Sequence, residues 1–123
     1  MNAAAVYRQV DQSSRVEAAS AHGLVAILLG EALDQISAVE AALGRGRGGY
    51  EADARAQGIL RVLEASLDHR TGGTTADLMG KVYRETRRCM TRAVEEIDPL
   101  WCKRARETLE PIVEAWSTIA QAA

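Results

Sequence analysis

Four stretches of this chain place apolar residues at alternating intervals of three and four, and glycine or proline separates each stretch from the next. That spacing lines one face of an α-helix, because 3.6 residues complete a turn. The first helix is expected over residues 20–43, with Val25, Leu28, Ala32, Ile36, Val39 and Leu43 as its stripe, widened by Leu24, Ile27 and Leu29. Ser20 is one N-cap for it. Ser14 with Glu17 three residues on reads as a capping box and allows an earlier start. The second helix is expected over residues 50–68, striped by Ala52, Ala56, Ile59, Leu60, Leu63 and Leu67. Gly72-Gly73 is read as the point where the chain reverses, with Thr74 capping a third helix. Met79, Val82, Tyr83, Thr86, Met90, Ala93 and Ile97 form its inner face. Asp98-Pro99 opens the fourth helix, where a missing amide at the first position costs nothing. Its stripe is Trp101, Ala105, Leu109, Ile112, Trp116 and Ile119, and Pro111 inside it should bend or divide the helix.

Four helices joined by short turns pack most simply as an antiparallel four-helix bundle. With 123 residues the chain fits one domain, residues 1–123. Two segments fall outside the periodic pattern. Residues 1–15 read as a mobile N-terminal cap, in which Val6 and Tyr7 form a short apolar element. Residues 44–49, Gly-Arg-Gly-Arg-Gly-Gly, read as a flexible surface loop.

Chemistry is sparse. His22 and His69 are far apart in sequence and read as surface histidines near helix ends. No Glu-x-x-His or Cys-x-x-Cys is present, so neither a di-iron bundle nor a zinc site is expected, and no cofactor. The Gly-Arg loop lacks the preceding strand and the Gly-Lys-Ser/Thr ending of a phosphate cradle. Cys89 and Cys102 could make one disulfide but no framework, and reduced thiols in the cytoplasm are the default. Cys89 shares a face with Val82, Thr86 and Ala93 and has no base at helical spacing, so it reads as core. No catalytic constellation emerges, and the chain is read as a non-enzyme. The longest apolar run, residues 24–29, is far short of the ~20 residues of a membrane span. No secretory signal is recognisable at the start. Lys81, Arg84, Arg87, Arg88 and Arg92 make the third helix basic, but the formal net charge is -2. A solvated face is the simpler reading; a nucleic-acid-binding or regulatory bundle is the alternative.

Several pieces, in order, resemble the flagellar secretion chaperones that bind flagellin, the FliS family. They are Ala5-Val6-Tyr7-Arg8-Gln9-Val10, Ser20 followed by residues 24–29, Ser66-Leu67-Asp68 with Gly72-Gly73, Val82-Tyr83 and Glu114-Ala115-Trp116. The sequence departs from the family pattern at Gly30 and Glu31, where Tyr-Asp-Gly is usual with Leu29. It departs again at Thr74, usually acidic, and at Glu85 and Thr86, usually an aromatic-Met pair. The resemblance implies a cytoplasmic export chaperone without catalysis, monomeric or homodimeric. It implies binding of the disordered C-terminal region of flagellin, which prevents premature polymerisation, and delivery to the flagellar (type III) export apparatus. Neither nucleic acid nor membrane insertion is expected.

A disordered client segment would bind by laying an apolar helical face into grooves of the bundle. The expected groove residues are Val25, Leu29, Ile59, Val62, Leu63, Leu67, Leu78, Val82 and Tyr83. For Ile59 and Leu63 ordinary core is the better reading. Leu29, Val62 and Leu78 lie off the tightest stripes and are expected to be exposed. Val6 and Tyr7 are expected to cover the empty groove and to swing away on binding.

Overall fold

The computed structural model describes the backbone of residues 17–122 and the side chains of residues 21–118. Among the described residues the chain forms four α-helices and no strand: α1 Glu17–Gly44, α2 Tyr50–Ala65, α3 His69–Glu96 and α4 Leu100–Ala122. Each helix packs on the one before it and the one after it, and α1 packs on α4, which closes the ring. The result is the all-α, antiparallel four-helix bundle that the apolar spacing dictates.

The core follows a seven-residue repeat. Leu29, Ala32, Ile36, Val39 and Leu43 of α1 are buried at steps of three and four. Ala56, Leu60 and Leu63 of α2, Tyr83, Thr86, Met90 and Ala93 of α3, and Cys102, Ala105 and Leu109 of α4 repeat the step. Such spacing keeps one seam of each helix facing its neighbours, as in coiled-coil packing. Thr86 is the polar member of this seam. Its hydroxyl donates to the Val82 carbonyl at 2.8 Å, so its burial leaves no orphan.

The turns differ from the sequence expectation in instructive ways. The chain does not reverse at Gly72-Gly73. α2 ends at Ala65, and α3 begins at His69, capped by Asp68 rather than Thr74. One Asp68 carboxylate oxygen accepts from the backbone amides of Arg70 and Thr71, at 3.0 and 3.1 Å, and the other accepts from the Thr71 hydroxyl at 2.6 Å. A carboxylate satisfying two orphan amides outcompetes a hydroxyl six residues on. Gly73 instead kinks α3 inside its first turns, with φ 52° and ψ -129°, a conformation open to glycine alone. Residues 44–49 form the expected surface loop, which opens on a hydrogen-bonded turn. Gly46 donates to Leu43 and Arg47 to Ala42, at 3.0 and 2.8 Å, and the Gly49 carbonyl accepts the Asp53 amide.

Ile97, expected on the inner face of α3, is exposed and left-handed, φ 52° and ψ 50°. It ends the helix, and the Asp98 amide closes back on the Ala93 carbonyl at 3.0 Å in the manner of a Schellman motif. The Asp98 carboxylate accepts from the Leu100 amide, so the expected Asp98-Pro99 opening of α4 holds. Pro111 does not divide α4, which runs unbroken from Leu100.

Candidate binding surface

Beneath the α2–α3 turn the bundle is open. A pocket of about 260 Å³ lies there, walled by Val25 of α1, Leu67 of the turn, Ala76, Met79 and Tyr83 of α3, and Trp116 of α4. Three features of the local fold leave it unfilled. The early end of α2 at Ala65 brings Leu67 across the top of the bundle. The kink at Gly73 swings the first turns of α3 aside, and the residues facing the gap there, Gly72, Thr75 and Ala76, are small.

Trp116 is pinned at the rim. Its indole NH donates to the His22 carbonyl at 2.8 Å, and the two rings stack with centroids 4.1 Å apart. The surface reading of His22 is therefore corrected: it is half-buried against Trp116, and its Nε2 finds no hydrogen-bond partner among the described residues. His69 is exposed, as expected, with Nδ1 2.8 Å from Asp77. Tyr83 forms the floor. It is almost wholly buried, and desolvation pushes its hydroxyl pKa up to about 12.

The expected groove residues divide into four groups. Val6 and Tyr7 lie outside the described residues. Val62 and Leu78 are exposed, at 55 % and 58 %, as read from the sequence. Val25, Ile59, Leu67 and Val82 are half-buried against the core. Leu63 and Tyr83 are core residues, which for Leu63 agrees with the simpler reading. Leu29 is a correction. It is fully buried rather than exposed, because the seven-residue seam of α1 runs through 29, 32 and 36. The large apolar side chains of α1 that stay exposed outside that seam are Leu24 and Ile27, at 58 % and 63 %. They stand one helical turn apart and were not among the expected site residues; their distance from the 29–32–36 seam is the signal that would have found them. Met79 and Trp116, stripe residues by spacing and Trp116 also part of the family resemblance, join the pocket wall without being among the expected groove residues.

The rest of the chemistry is that of a scaffold. Burial raises the pKa of the Cys89 thiol and pushes that of Cys102 up to about 11, so neither is held as a thiolate, and both are free cysteines. Among the described residues no three His, Cys, Asp or Glu side chains converge as metal ligands, and no helix is long and apolar enough to cross a membrane. The basic side of α3 is largely neutralised by pairing. Arg84 and Arg87 share Glu64, Arg88 pairs with Glu85, and Arg92 with Glu96.

The chain matches no curated protein. It does match a family model described as flagellar protein FliS, over residues 3–123.

Proposed function

The chain belongs to the flagellar protein FliS family, a family of flagellar export chaperones that bind flagellin, and from that membership we propose that its own client is the C-terminal segment of flagellin. In this reading the client's apolar helical face seats on the open pocket at Val25, Leu67 and Trp116 and extends over Leu24, Ile27 and Leu78. The segment is thereby kept from polymerising in the cytoplasm and is handed to the export apparatus. The observation that carries the reading is a pocket of about 260 Å³ left open next to apolar side chains more than half exposed. Such a surface is costly to leave in water and is characteristic of a protein-binding site.

The energetics fit a disordered guest. Ordering such a segment costs roughly 2–5 kcal/mol. Fully burying an aliphatic side chain is worth ~1.5–3 kcal/mol, so removing the remaining exposure of Leu24, Ile27 and Leu78 gives roughly 3–5 kcal/mol together. That sum only offsets the ordering cost. Net affinity must come from side chains of the client that enter the pocket, which makes the pocket the anchor and the exposed leucines its apron. Val6 and Tyr7 would shield the empty pocket in the unliganded protein.

Calorimetric titration of the chain with the C-terminal region of flagellin from the same cell tests the proposal. A one-to-one complex is expected, weakened at least tenfold by Leu24→Glu with Ile27→Glu while the melting temperature stays within a degree or two. No binding at ~100 µM client would overturn it.

A further inference from the structure

We propose that the client segment carries acidic residues along one edge of its apolar stripe, and that these enter an arginine-lined channel between α2 and α3. The inference rests on the client-binding reading above and adds a chemical requirement that the client must meet.

The channel consists of two open clefts of about 480 and 470 Å³ that share Arg61, Arg84 and Arg87 as walls, with Arg88 extending the first. The carboxylates lining it are Asp53 and Glu64, and Arg88 is forked onto Glu85 beside it, so the local excess is that of one guanidinium, although the whole chain is net negative. Glu64 accepts from Arg84 at 3.3 Å and from Arg87 at 2.8 Å, one carboxylate between two cations. Arg61 is exposed and has no ion-pair partner among the described residues. The floor is fixed by Gln57, almost completely buried. Its Nε2 donates to the Arg87 carbonyl at 3.1 Å and the Thr91 hydroxyl at 3.2 Å, while its Oε1 accepts from Arg87 Nε at 3.4 Å. Arg87 is therefore held between Gln57 and Glu64, while Arg61 and Arg84, both exposed, keep guanidinium donors free for contacts with carboxylates.

Leu67 joins the two surfaces, because it walls both the second cleft and the apolar pocket. A helix that lays its apolar stripe over Leu67 has one flank above Arg61, Arg84 and Arg87. Carboxylates on that flank meet local positive charge, which fixes the direction and register of the client and speeds its capture. Continuity with an apolar pocket favours a polypeptide. Asp53 and Glu64 inside the channel, and the negative net charge, oppose a phosphate backbone.

The first arm of the test leaves the protein untouched and alters the client. The flagellin C-terminal segment is compared by calorimetry with a copy in which every Asp and Glu becomes Asn or Gln. At ~50 mM salt the neutral copy should bind about tenfold more weakly, and at ~0.5 M salt the two should agree within about twofold. Arg61→Glu with Arg84→Gln should reproduce the loss for the natural client and leave the neutral copy unaffected. Equal affinities at low salt, with Leu24→Glu/Ile27→Glu still weakening binding at least tenfold, would overturn this inference and leave the client reading standing. Failure of both clients to bind would remove the reading itself. Salt-dependent binding of a mixed-sequence DNA duplex or RNA, lost in the arginine variant, would reassign the channel and also overturn the inference.

Discussion

Alanine in place of glycine should have opposite effects at two positions of the same helix. At Gly58, in the interior of α2, a Cβ would meet no atom within 4 Å. The backbone there is ordinary helix, so Gly58→Ala recovers the intrinsic difference of about 0.8–1.0 kcal/mol in helix propensity. At Gly49, the N-cap of α2, φ is 70°. A Cβ would stand 3.2 Å from Val39 Cγ1 and 3.5 Å from Val39 Cα, which belongs to the packed seam of α1. The left-handed conformation costs an L-residue about 1–2 kcal/mol, and the Val39 contact adds to it. Loss of unfolded-chain freedom returns about 0.5 kcal/mol, leaving Gly49→Ala destabilising by about 1 kcal/mol or somewhat more. The sites are nine residues apart, about 13 Å along the axis, so the effects should add within ~0.5 kcal/mol and the double variant should melt close to the parent. In a domain of this size each single change corresponds to roughly 4 °C in Tm. Urea titration with a fixed m-value and thermal melts by circular dichroism report both. A destabilised Gly58→Ala, or a neutral Gly49→Ala, would refute the account of how α2 begins and continues.

Four further outcomes follow from particular groups. Asp68→Ala should lower Tm at neutral pH. The native Asp68 pKa lies below its ordinary 3.8, chiefly through the Thr71 hydroxyl, so the cap's contribution is present above about pH 4 and fades as pH falls through the native value; parent and variant melts should converge in acid. Raising pH should destabilise the fold between about pH 10 and pH 12, because Tyr83 must stay neutral in the core up to about 12 while the unfolded chain ionises near 10, and Tyr83→Phe should flatten that decline. The buried thiols of Cys89 and Cys102 should resist a thiol-reactive chromophore in the native protein and react fully in denaturant; fast native labelling would contradict their placement. Deleting residues 1–10 should change the dissociation constant for the flagellin segment if Val6 and Tyr7 compete for the pocket, and an unchanged constant would exclude that role.

The apolar spacing of the chain determined by itself that four helices form and that one seam of each is buried, because helical periodicity and burial act on residues close in sequence. It also marked the Asp98-Pro99 start of α4 and the exposure of Val62 and Leu78. Local competition between caps was the first thing it left open. Asp68 and Thr74 both have suitable side chains, and only the packed turn shows that Asp68 reaches two backbone amides while Gly73 absorbs a kink. The second was the rotation of α1. A helix apolar around much of its circumference can turn either of two neighbouring stripes inward, and contact with α2 and α4 chose Leu29 over Leu24 and Ile27. The pocket beneath Leu67 and the arginine channel beside it are both made by residues from separate helices, Val25 with Trp116 and Arg61 with Arg84. Their distances are fixed only when the ring of helices closes, which is why a binding surface had to be read from the folded bundle.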